Sequence, residues 1–398
     1  MPLVRTILLT GMLLSGIALQ AAAQSATNEQ ARAQAAVPST NRSDDSPRDV
    51  LTPDEWRRVD AAVQRGLNFL ISQQQVDGSF PTDNVAQPGV TSLCVLAFMA
   101  HGHNPGNGAY GSALDSAVRY ITDCQKANGL IMLCGPDELE IDRSVGHDIG
   151  SSGTYDHAIS SLTLCELYGM NPSKSAPALK PVIDKSLAVT LRMQQWSKQM
   201  PYDAGGWRYI NRFDKSDSDL SVTGWHLMFL RSARNAGFAV PEKSIADAIA
   251  YIRRNFSQQY DTFGYMTNRG DYRTRGMTGA GILALGHAGF HNSMEAKRAA
   301  EHVLGYSFEV YNGNGGFNRD RYHYSLFMCC QGMYQMGTPY WEQFFPRTVR
   351  AVLANQHADG SWDAETWKPD RRYGTSYTTA LVILALGAPN QFLPVFQR

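Results

Sequence analysis

The chain has 398 residues, with 36 lysines and arginines against 36 aspartates and glutamates, and aromatic residues make up 10% of it. This length allows one large domain or two ordinary ones. The balanced charge differs from the strongly basic composition of proteins that bind nucleic acids or anionic membranes. We therefore expect no nucleic-acid partner.

The first 23 residues have the pattern of a secretory signal peptide. Arg5 supplies a positive end, residues 7–19 form an apolar run, and three alanines at 21–23 provide a small-residue cleavage site, so Gln24 is the expected first mature residue. The apolar run is shorter than the roughly 20 residues that span a bilayer. We expect cleavage, no transmembrane segment in the mature chain, and a periplasmic or secreted location.

A polar linker and then a folded domain follow. Residues 24–52 are rich in Ala, Gln, Ser, Asn and Asp, which predicts a flexible linker. Order begins at Thr52, a typical helix N-cap, with Pro53 at the first helical position and Glu55 to complete a capping box. The sequence therefore predicts one domain over residues 53–398.

Six similar units fill this domain. In each unit, a helix that usually ends near glutamine is followed by a turn containing glycine, then a loop, and then a more apolar helix that ends near glycine. The turn glycines are Gly78, Gly129, Gly206, Gly264, Gly316 and Gly360. Such a period is typical of stacked two-helix units.

The second helix of each unit is apolar on nearly all sides, which indicates burial on most sides. A helical hairpin cannot bury its apolar face alone, so neighbouring hairpins must stack. We therefore predict an all-α fold, an α/α toroid in which a double ring is built from six helical hairpins. An open solenoid is the alternative, but it would need polar end caps that the sequence does not show.

The glutamine and glycine turns resemble the QW repeats of terpenoid cyclases, and equally the repeats of protein prenyltransferase β subunits. Gln195 with Gly205-Gly206-Trp207, and Gln356 with Asp359-Gly360-Ser361-Trp362, are the closest matches. The resemblance covers roughly residues 55–390. It implies the toroid fold and a ligand in the central cavity, at the mouth where the inner helices begin. One fold hosts many functions, so it implies much less about chemistry.

An acidic motif opens the third inner helix. Asp217-Ser218-Asp219-Leu220-Ser221 resembles the D-x-D-D-T motif of squalene-hopene cyclases, in which the middle aspartate protonates a double bond. The resemblance implies that Asp219 is the catalytic acid and that Asp217 assists it, although Leu220 replaces the third acid. Such an acid must be kept neutral by burial. The alternative is that Asp219 serves only as a helix N-cap.

Aromatic residues in these units are candidates for lining the cavity, where ring faces would stabilise carbocations. The alternative for most of them is packing between hairpins. The candidate substrate-binding residues are Tyr155, Trp207, Trp225, Tyr322, His323 and Tyr377.

Arginines are concentrated in the loops before inner helices four to six. Arg273, Arg275 and Arg321 are candidates for binding an anionic ligand such as a diphosphate or a uronic acid. The alternative is local ion pairing with Asp271, Asp320 and Asp370.

Metals and disulfides receive little support from the sequence. Protein prenyltransferases hold zinc through Asp, Cys and His, but no D-x-C motif occurs in the corresponding units and no other spacing suggests a metal site. We therefore expect no metal and no other cofactor. Six cysteines do not make a disulfide framework in a chain of this length. Cys124 and Cys134 flank a loop in which they could pair, which the sequence leaves open.

Three functional hypotheses remain. The first is a terpenoid-cyclase-like enzyme that uses an acid and no metal to cyclise an apolar isoprenoid in the central cavity. The second is a non-catalytic toroid that binds a lipid, a glycan or a protein partner. The third is an enzyme acting on an anionic polysaccharide, which only the arginine loops support.

Overall fold

The computed structural model of the protein describes residues 47–135, 145–170, 172–211, 216–267, 272–306, 308–317 and 319–397, with the side chains of 172–176 excepted. Pro47–Arg398 forms one compact unit. The predicted signal peptide and linker residues 24–46 lie outside the described residues, as do Arg269 and Asp271. The last residues of the predicted linker belong to the fold, because the indole Nε1 of Trp341 donates a hydrogen bond to the Pro47 carbonyl (3.1 Å).

Twelve helices alternate between two layers in the described part of the chain. The outer helices are α1 (Pro53–Gln73), α3 (Gly111–Asp123), α5 (Pro172–Gln194), α7 (Glu242–Arg254), α9 (Met294–Gly305) and α11 (Thr338–Ala354). The inner helices are α2 (Gly89–Met99), α4 (His147–Met170), α6 (Leu220–Asn235), α8 (Arg275–His287), α10 (Tyr322–Met336) and α12 (Gly374–Leu386). Two short antiparallel strands, β1 (Phe256–Ser257) and β2 (Thr262–Phe263), join α7 to α8.

The inner helices form a closed ring. Each packs against the next in chain order, and α12 packs back against α2. All eleven residues of α2 and all fifteen of α10 are buried. The outer helices are amphipathic, as expected of helices that cover an inner layer. This confirms the predicted α/α toroid of six helical hairpins.

The glutamines at the ends of four outer helices explain the sequence pattern. Each Nε2 donates to the carbonyl of its own turn glycine and to a carbonyl of the next outer helix, at distances of 2.8–3.3 Å. These glutamines are Gln74, Gln125, Gln194 and Gln356. One amide side chain thus satisfies two backbone acceptors and fixes one hairpin to the next.

The glycine in these turns is required by space and by backbone geometry. Gly78 has φ +94°, and a Cβ there would lie 2.4 Å from the carbonyl oxygen of Ser116 in α3. In the third unit the corresponding residue is Gly205 rather than Gly206. In the last unit a Cβ on Gly360 would lie 2.3 Å from the Arg65 carbonyl oxygen in α1, so this contact closes the outer ring.

The far end of the ring, where the inner helices end, is covered by the last described residues. The Val395 N–H donates to Glu166 Oε2 (3.1 Å) near the end of α4, and Gln335 Nε2 donates to the Phe396 carbonyl (2.9 Å). The Phe396 ring packs edge-on against Phe327. The central space is therefore closed on this side.

The remaining sequence expectations concern cysteines and membranes. All six cysteines are free thiols, including Cys124 and Cys134. Of the helices that the structure describes, none combines the length and apolarity needed to cross a membrane.

Candidate functional site

A cavity of about 440 Å³ lies at the N-terminal ends of the inner helices. All six inner helices line it, through Gly89, Val90 and Leu93 of α2, Tyr155, Asp156 and Ile159 of α4, Ser221 and Trp225 of α6, Met277 of α8, Tyr324 and Ser325 of α10, and Tyr377 and Leu381 of α12. The loops before these helices add mainly arginine and aromatic side chains. Its volume suits a small-molecule ligand.

The lining changes from charged to apolar with depth. Along α4 the cavity is lined in turn by Asp148, Ser152, Asp156 and Ile159. At 1.5 Å per residue, Asp156 lies about 12 Å further along the helix than Asp148, which is exposed at the mouth. The cavity is therefore amphipathic, with a charged mouth and an apolar inner end.

Asp156 is the carboxyl group at this inner end, and it has no cationic partner among the described residues. Its side chain is 3% exposed. Oδ1 accepts one hydrogen bond, from the Gly89 N–H (3.2 Å), and the buried Oδ2 has none. Burial raises the pKa of Asp156 well above its ordinary value, since an anion there would lose its hydration. Burial without a neighbouring cation therefore favours the protonated, neutral form of this carboxyl group over its anion.

The helix that faces Asp156 favours release of its proton. Gly89 is the first residue of α2, so its N–H belongs to the positive end of the helix dipole, which stabilises a carboxylate. Only glycine permits this approach, because a Cβ on Gly89 would lie 2.4 Å from Asp156 Oδ1. Burial thus favours the protonated acid, while the helix end stabilises its conjugate base.

Asp156 is the functional candidate that the sequence analysis missed. The available signal was a single carboxylate within an inner helix that, apart from His157, is built of small, hydroxylic and apolar residues from Gly150 to Cys165. A buried, unpaired acid in such a run is costly unless it is neutral. The acidic motif of the third unit predicted Asp219 as the acid instead.

Asp219 lies behind the cavity wall and does not line the cavity. It is the N-cap of α6, where its Oδ1 accepts from the Val222 N–H (2.8 Å). Its Oδ2 accepts from Arg208 Nη1 (2.9 Å) and from the Tyr265 hydroxyl (3.2 Å). Burial raises the pKa of Asp219, and Arg208 and the other donors oppose that rise. The N-cap alternative is thus observed, together with a buried ion pair.

Asp217 lies outside the central cavity as well. Its Oδ2 accepts from the Gln199 N–H (2.6 Å), and its own N–H donates to Asp203 Oδ2 (2.9 Å). It therefore fastens the loop before α6 on the outer side of the ring. The structure does not bring Asp217 and Asp219 together as a carboxyl pair facing a ligand.

Three of the six predicted substrate-binding residues line the cavity, namely Tyr155, Trp225 and Tyr377. The other three lie behind the wall. Trp207 donates from Nε1 to the Thr190 carbonyl (2.9 Å), and the Tyr322 hydroxyl donates to the Phe308 carbonyl (2.8 Å). His323 is buried beside Glu365, whose Oε1 accepts from its backbone N–H (2.9 Å).

Of the three predicted anion-binding arginines, one lines the cavity and two do not. Arg321 lines the cavity and pairs with Asp370 (2.5 Å). Arg275 is buried in an ion pair with Asp320 (2.7 Å), so it stabilises the fold. Arg273 stacks over the ring of Tyr260, 3.5 Å from its centroid, away from the cavity.

Two further arginines join Arg321 at the mouth. Arg372 pairs with Asp148 (3.0 Å) and keeps its buried Nε without a partner. Arg319 has no carboxylate partner among the described residues; its guanidinium lies over the Tyr272 ring (4.6 Å) and bonds to the Tyr272 hydroxyl. Arg319 has φ +67°, a conformation that costs energy for a residue with a side chain.

Among the described residues, the mouth therefore carries more positive than negative charge. Three guanidinium groups, those of Arg319, Arg321 and Arg372, line it with two carboxylates, Asp148 and Asp370. Trp367 lies between two of them, with its ring centroid 6.0 Å from Arg319 and 5.8 Å from Arg321. Within the described ranges, no group of three or more His, Cys, Asp or Glu side chains is arranged to hold a metal ion.

Comparison with known proteins identifies the fold and no family. No protein-family model matches the chain, and no curated protein matches it by sequence. Among solved structures, the type II terpene cyclase MstE from Scytonema is similar, with a TM-score of 0.55 and 12% identity over 85% of this chain and 100% of that one. A variant of MstE is known in complex with its substrate, geranylgeranyl dihydroxybenzoate.

Enzymes that act on sugars share the same fold. Cellobiose 2-epimerase from Spirochaeta thermophila has a TM-score of 0.58 and 10% identity over 85% of this chain and 98% of its own. A GH76 α-mannanase from Bacteroides thetaiotaomicron has a TM-score of 0.54 and 10% identity over 82% and 95%. The same fold therefore occurs in enzymes with different chemistries, so the function of this protein has to be inferred from the residues of its cavity.

Proposed function

We propose that this protein is an enzyme that cyclises an isoprenoid by protonating one of its double bonds, with Asp156 as the acid. The observation that carries the proposal is a buried carboxyl group, with no cationic partner among the described residues, at the apolar end of an aromatic-lined cavity. Protonating an alkene requires an acid that is un-ionised at rest and whose anion is stabilised when the proton leaves. The burial of Asp156 and the N-terminus of α2 supply these two conditions.

The reaction begins when the Asp156 O–H bond breaks and its proton bonds to one carbon of the alkene. The other alkene carbon becomes a tertiary carbocation, which the next double bond attacks to close a ring. Trp225, Tyr155 and Tyr377 line the cavity, and their aromatic rings would stabilise the cation. The apolar wall keeps water from the cation, and the Gly89 N–H stabilises the Asp156 carboxylate.

The mouth suggests that the substrate carries an anionic head group. Arg319 brings a positive charge there that no described carboxylate balances, and Arg372 Nε offers an unused donor. Guanidinium groups bind carboxylates and phosphates through paired hydrogen bonds. A head group at the mouth would place the far end of the isoprenoid chain beside Asp156. The substrate of MstE, an isoprenoid joined to a dihydroxybenzoate, has this form.

The two other hypotheses have less support. Glycoside hydrolysis generally uses two carboxylates that flank the scissile bond. The other carboxylates lining this cavity, Asp148 and Asp370, are paired with arginines at the mouth. A toroid that binds a lipid without turnover would have no need for a neutral acid at the inner end.

The test uses three probes with the same geranylgeranyl chain: the dihydroxybenzoate, the diphosphate and the neutral alcohol. We expect the purified protein to cyclise an anionic probe, and to bind the alcohol roughly 10- to 100-fold more weakly because charge-assisted hydrogen bonds are lost. Asp156→Asn should bind the anionic probes with unchanged affinity and form at least 100-fold less cyclic product.

Asp115→Asn is the matched control, since Asp115 is exposed on the outer helix α3. It should keep wild-type turnover. Equal product formation by Asp156→Asn would refute the assignment of the acid. Tight binding of a probe with no product from the wild type would instead identify a lipid-binding protein.

We also propose that the enzyme works outside the cytoplasm. The support is the signal-peptide pattern of residues 1–23 alone. Determination of the N-terminus of the protein recovered from cell envelope and medium should give Gln24. Recovery of the intact N-terminus from the cytosol would contradict export.

A further inference from the structure

A chain of hydrogen bonds links the cavity to the buried carboxylate of Asp219. The Tyr209 and Tyr265 hydroxyls lie 2.8 Å apart, and both side chains line the cavity. The Tyr265 hydroxyl donates to Asp219 Oδ2 (3.2 Å), so Tyr209 donates in turn to Tyr265. The three groups form a continuous path for protons that starts at the cavity and ends behind its wall.

Arg208 holds the inner end of this path in its charged state. Its Nη1 is 2.9 Å from Asp219 Oδ2, and its guanidinium carbon lies 4.5 Å from the centroid of the Tyr209 ring. Asp219 thus carries a negative charge that a cation balances. Burial raises its pKa, so this carboxylate is a better proton acceptor than an exposed one.

The path lies on the mouth side of the cavity. The Tyr209 ring packs edge-on against His147, the first residue of α4, at 5.7 Å between centroids. Asp156 lies nine positions further along the same helix, or roughly 13 Å deeper. A cation formed beside Asp156 moves towards the head group as successive rings close, so the last cation forms near Tyr209.

We propose that Asp219 is the final acceptor of the proton that ends the reaction, and that Tyr209 and Tyr265 carry it there. This inference rests on the proposed cyclisation. In this role Asp219 accepts a proton, whereas the acidic motif implies that it donates one. Tyr209 is the catalytic residue of the step, because its hydroxyl is the first group of the path and receives the proton from the cation's neighbouring C–H.

The step balances without any co-reactant. The C–H bond next to the final cation breaks, and its electron pair forms the new double bond. Its proton bonds to the Tyr209 oxygen while the Tyr209 proton passes to Tyr265 and the Tyr265 proton passes to Asp219, which becomes neutral. The product is an isomer of the substrate. After product release, Asp219 loses a proton to solvent and Asp156 gains one, which restores the starting state.

The test is the product ratio of Tyr265→Phe and Tyr209→Phe with geranylgeranyl dihydroxybenzoate. The wild type should form one alkene isomer by defined proton loss. Both variants should still consume the substrate, because Asp156 is intact. They should form that alkene about 100-fold more slowly, and other alkenes or a water-capture alcohol should replace it. Asp219→Asn, which can still cap α6, should show the same change.

Tyr251→Phe is the matched control. Tyr251 is fully buried and electrostatically coupled to Asp219, but it does not line the cavity. It should keep the wild-type product ratio. An unchanged ratio in Tyr265→Phe and Tyr209→Phe, with substrate still consumed, would overturn the proton path and leave the cyclase proposal standing. Failure of the wild type to consume any probe would overturn both.

Discussion

At the scale of single residues, the properties of Asp156 follow from what surrounds it. Burial favours the neutral form of a carboxyl group that has one N–H donor and no cation among the described residues. Asp219, which is equally buried, has Arg208 and two further donors and is held as an anion. In the proposed reaction, these different partners make one aspartate the acid and the other the proton acceptor.

Gly89→Ala tests whether the acid depends on its close contact with α2. The added methyl would lie 2.4 Å from Asp156 Oδ1, so the carboxyl must move and lose the Gly89 N–H. We expect a loss of turnover of about 100-fold or more, measured as cyclic product formed per enzyme.

Gly224→Ala is the control for this change, because it adds the same methyl within the inner helix α6 where nothing lies within 4 Å. It should keep turnover and raise stability by up to about 1 kcal/mol, since alanine favours the helix. Equal activity in both variants would show that the contact is dispensable.

The sequence identifies the type of residue at the site better than its position. Asp219 follows a recognisable motif, but Arg208, earlier in the same loop, and Tyr265, in the loop before α8, turn it into an ion pair. Asp156 carries no motif, and only the approach of Gly89 from the neighbouring hairpin defines its role. Contacts between hairpins cannot be deduced from spacing within one of them.

At the scale of elements, the hairpins are joined by the glutamine and glycine turns. Their pattern is local in sequence, which is why the fold and its six hairpins could be predicted. The loops before the inner helices differ in length and composition. The positions of Arg273, Arg275 and Arg321 relative to the cavity therefore could not be predicted from the sequence.

Gly78→Ala tests the turn. Its φ is +94°, and the added Cβ would lie 2.4 Å from the Ser116 carbonyl. Gly108→Ala is the matched control, with φ +69° but nothing within 4 Å. We expect Gly108→Ala to cost about 1 kcal/mol of unfolding free energy through backbone strain alone, and Gly78→Ala to cost about 2–4 kcal/mol. Denaturant unfolding measures both, and equal losses would contradict the packing role of the turn.

At the scale of the whole molecule, the ring is closed at one end and open at the other. The closed end depends on Glu166, which accepts hydrogen bonds from Ser232 (2.6 Å) and from the Val395 N–H. Burial raises the pKa of Glu166 from its ordinary value to about 7. Its neutral form therefore stabilises the folded state, and this contribution is complete below the unfolded pKa and disappears as the pH rises through about 7.

Glu166→Gln should remove this pH dependence, because an amide keeps the shape of the neutral acid and does not ionise. Relative to the wild type, we expect the variant to gain up to about 3 kcal/mol of unfolding free energy between pH 5 and pH 9. Thermal unfolding across this range measures the difference. A wild type and a variant with parallel pH profiles would contradict the role of Glu166.

The central claim is that Asp156 starts a cyclisation in this cavity by giving a proton to an isoprenoid, and solvent deuterium tests it most directly. Wild-type enzyme in D₂O with geranylgeranyl dihydroxybenzoate should yield a cyclic product with one deuterium on the carbon protonated first, located by NMR and mass spectrometry. Asp156→Asn should bind the same probe and yield at least 100-fold less of this product. Cyclic product without deuterium, or labelled product from Asp156→Asn in equal amount, would contradict the account.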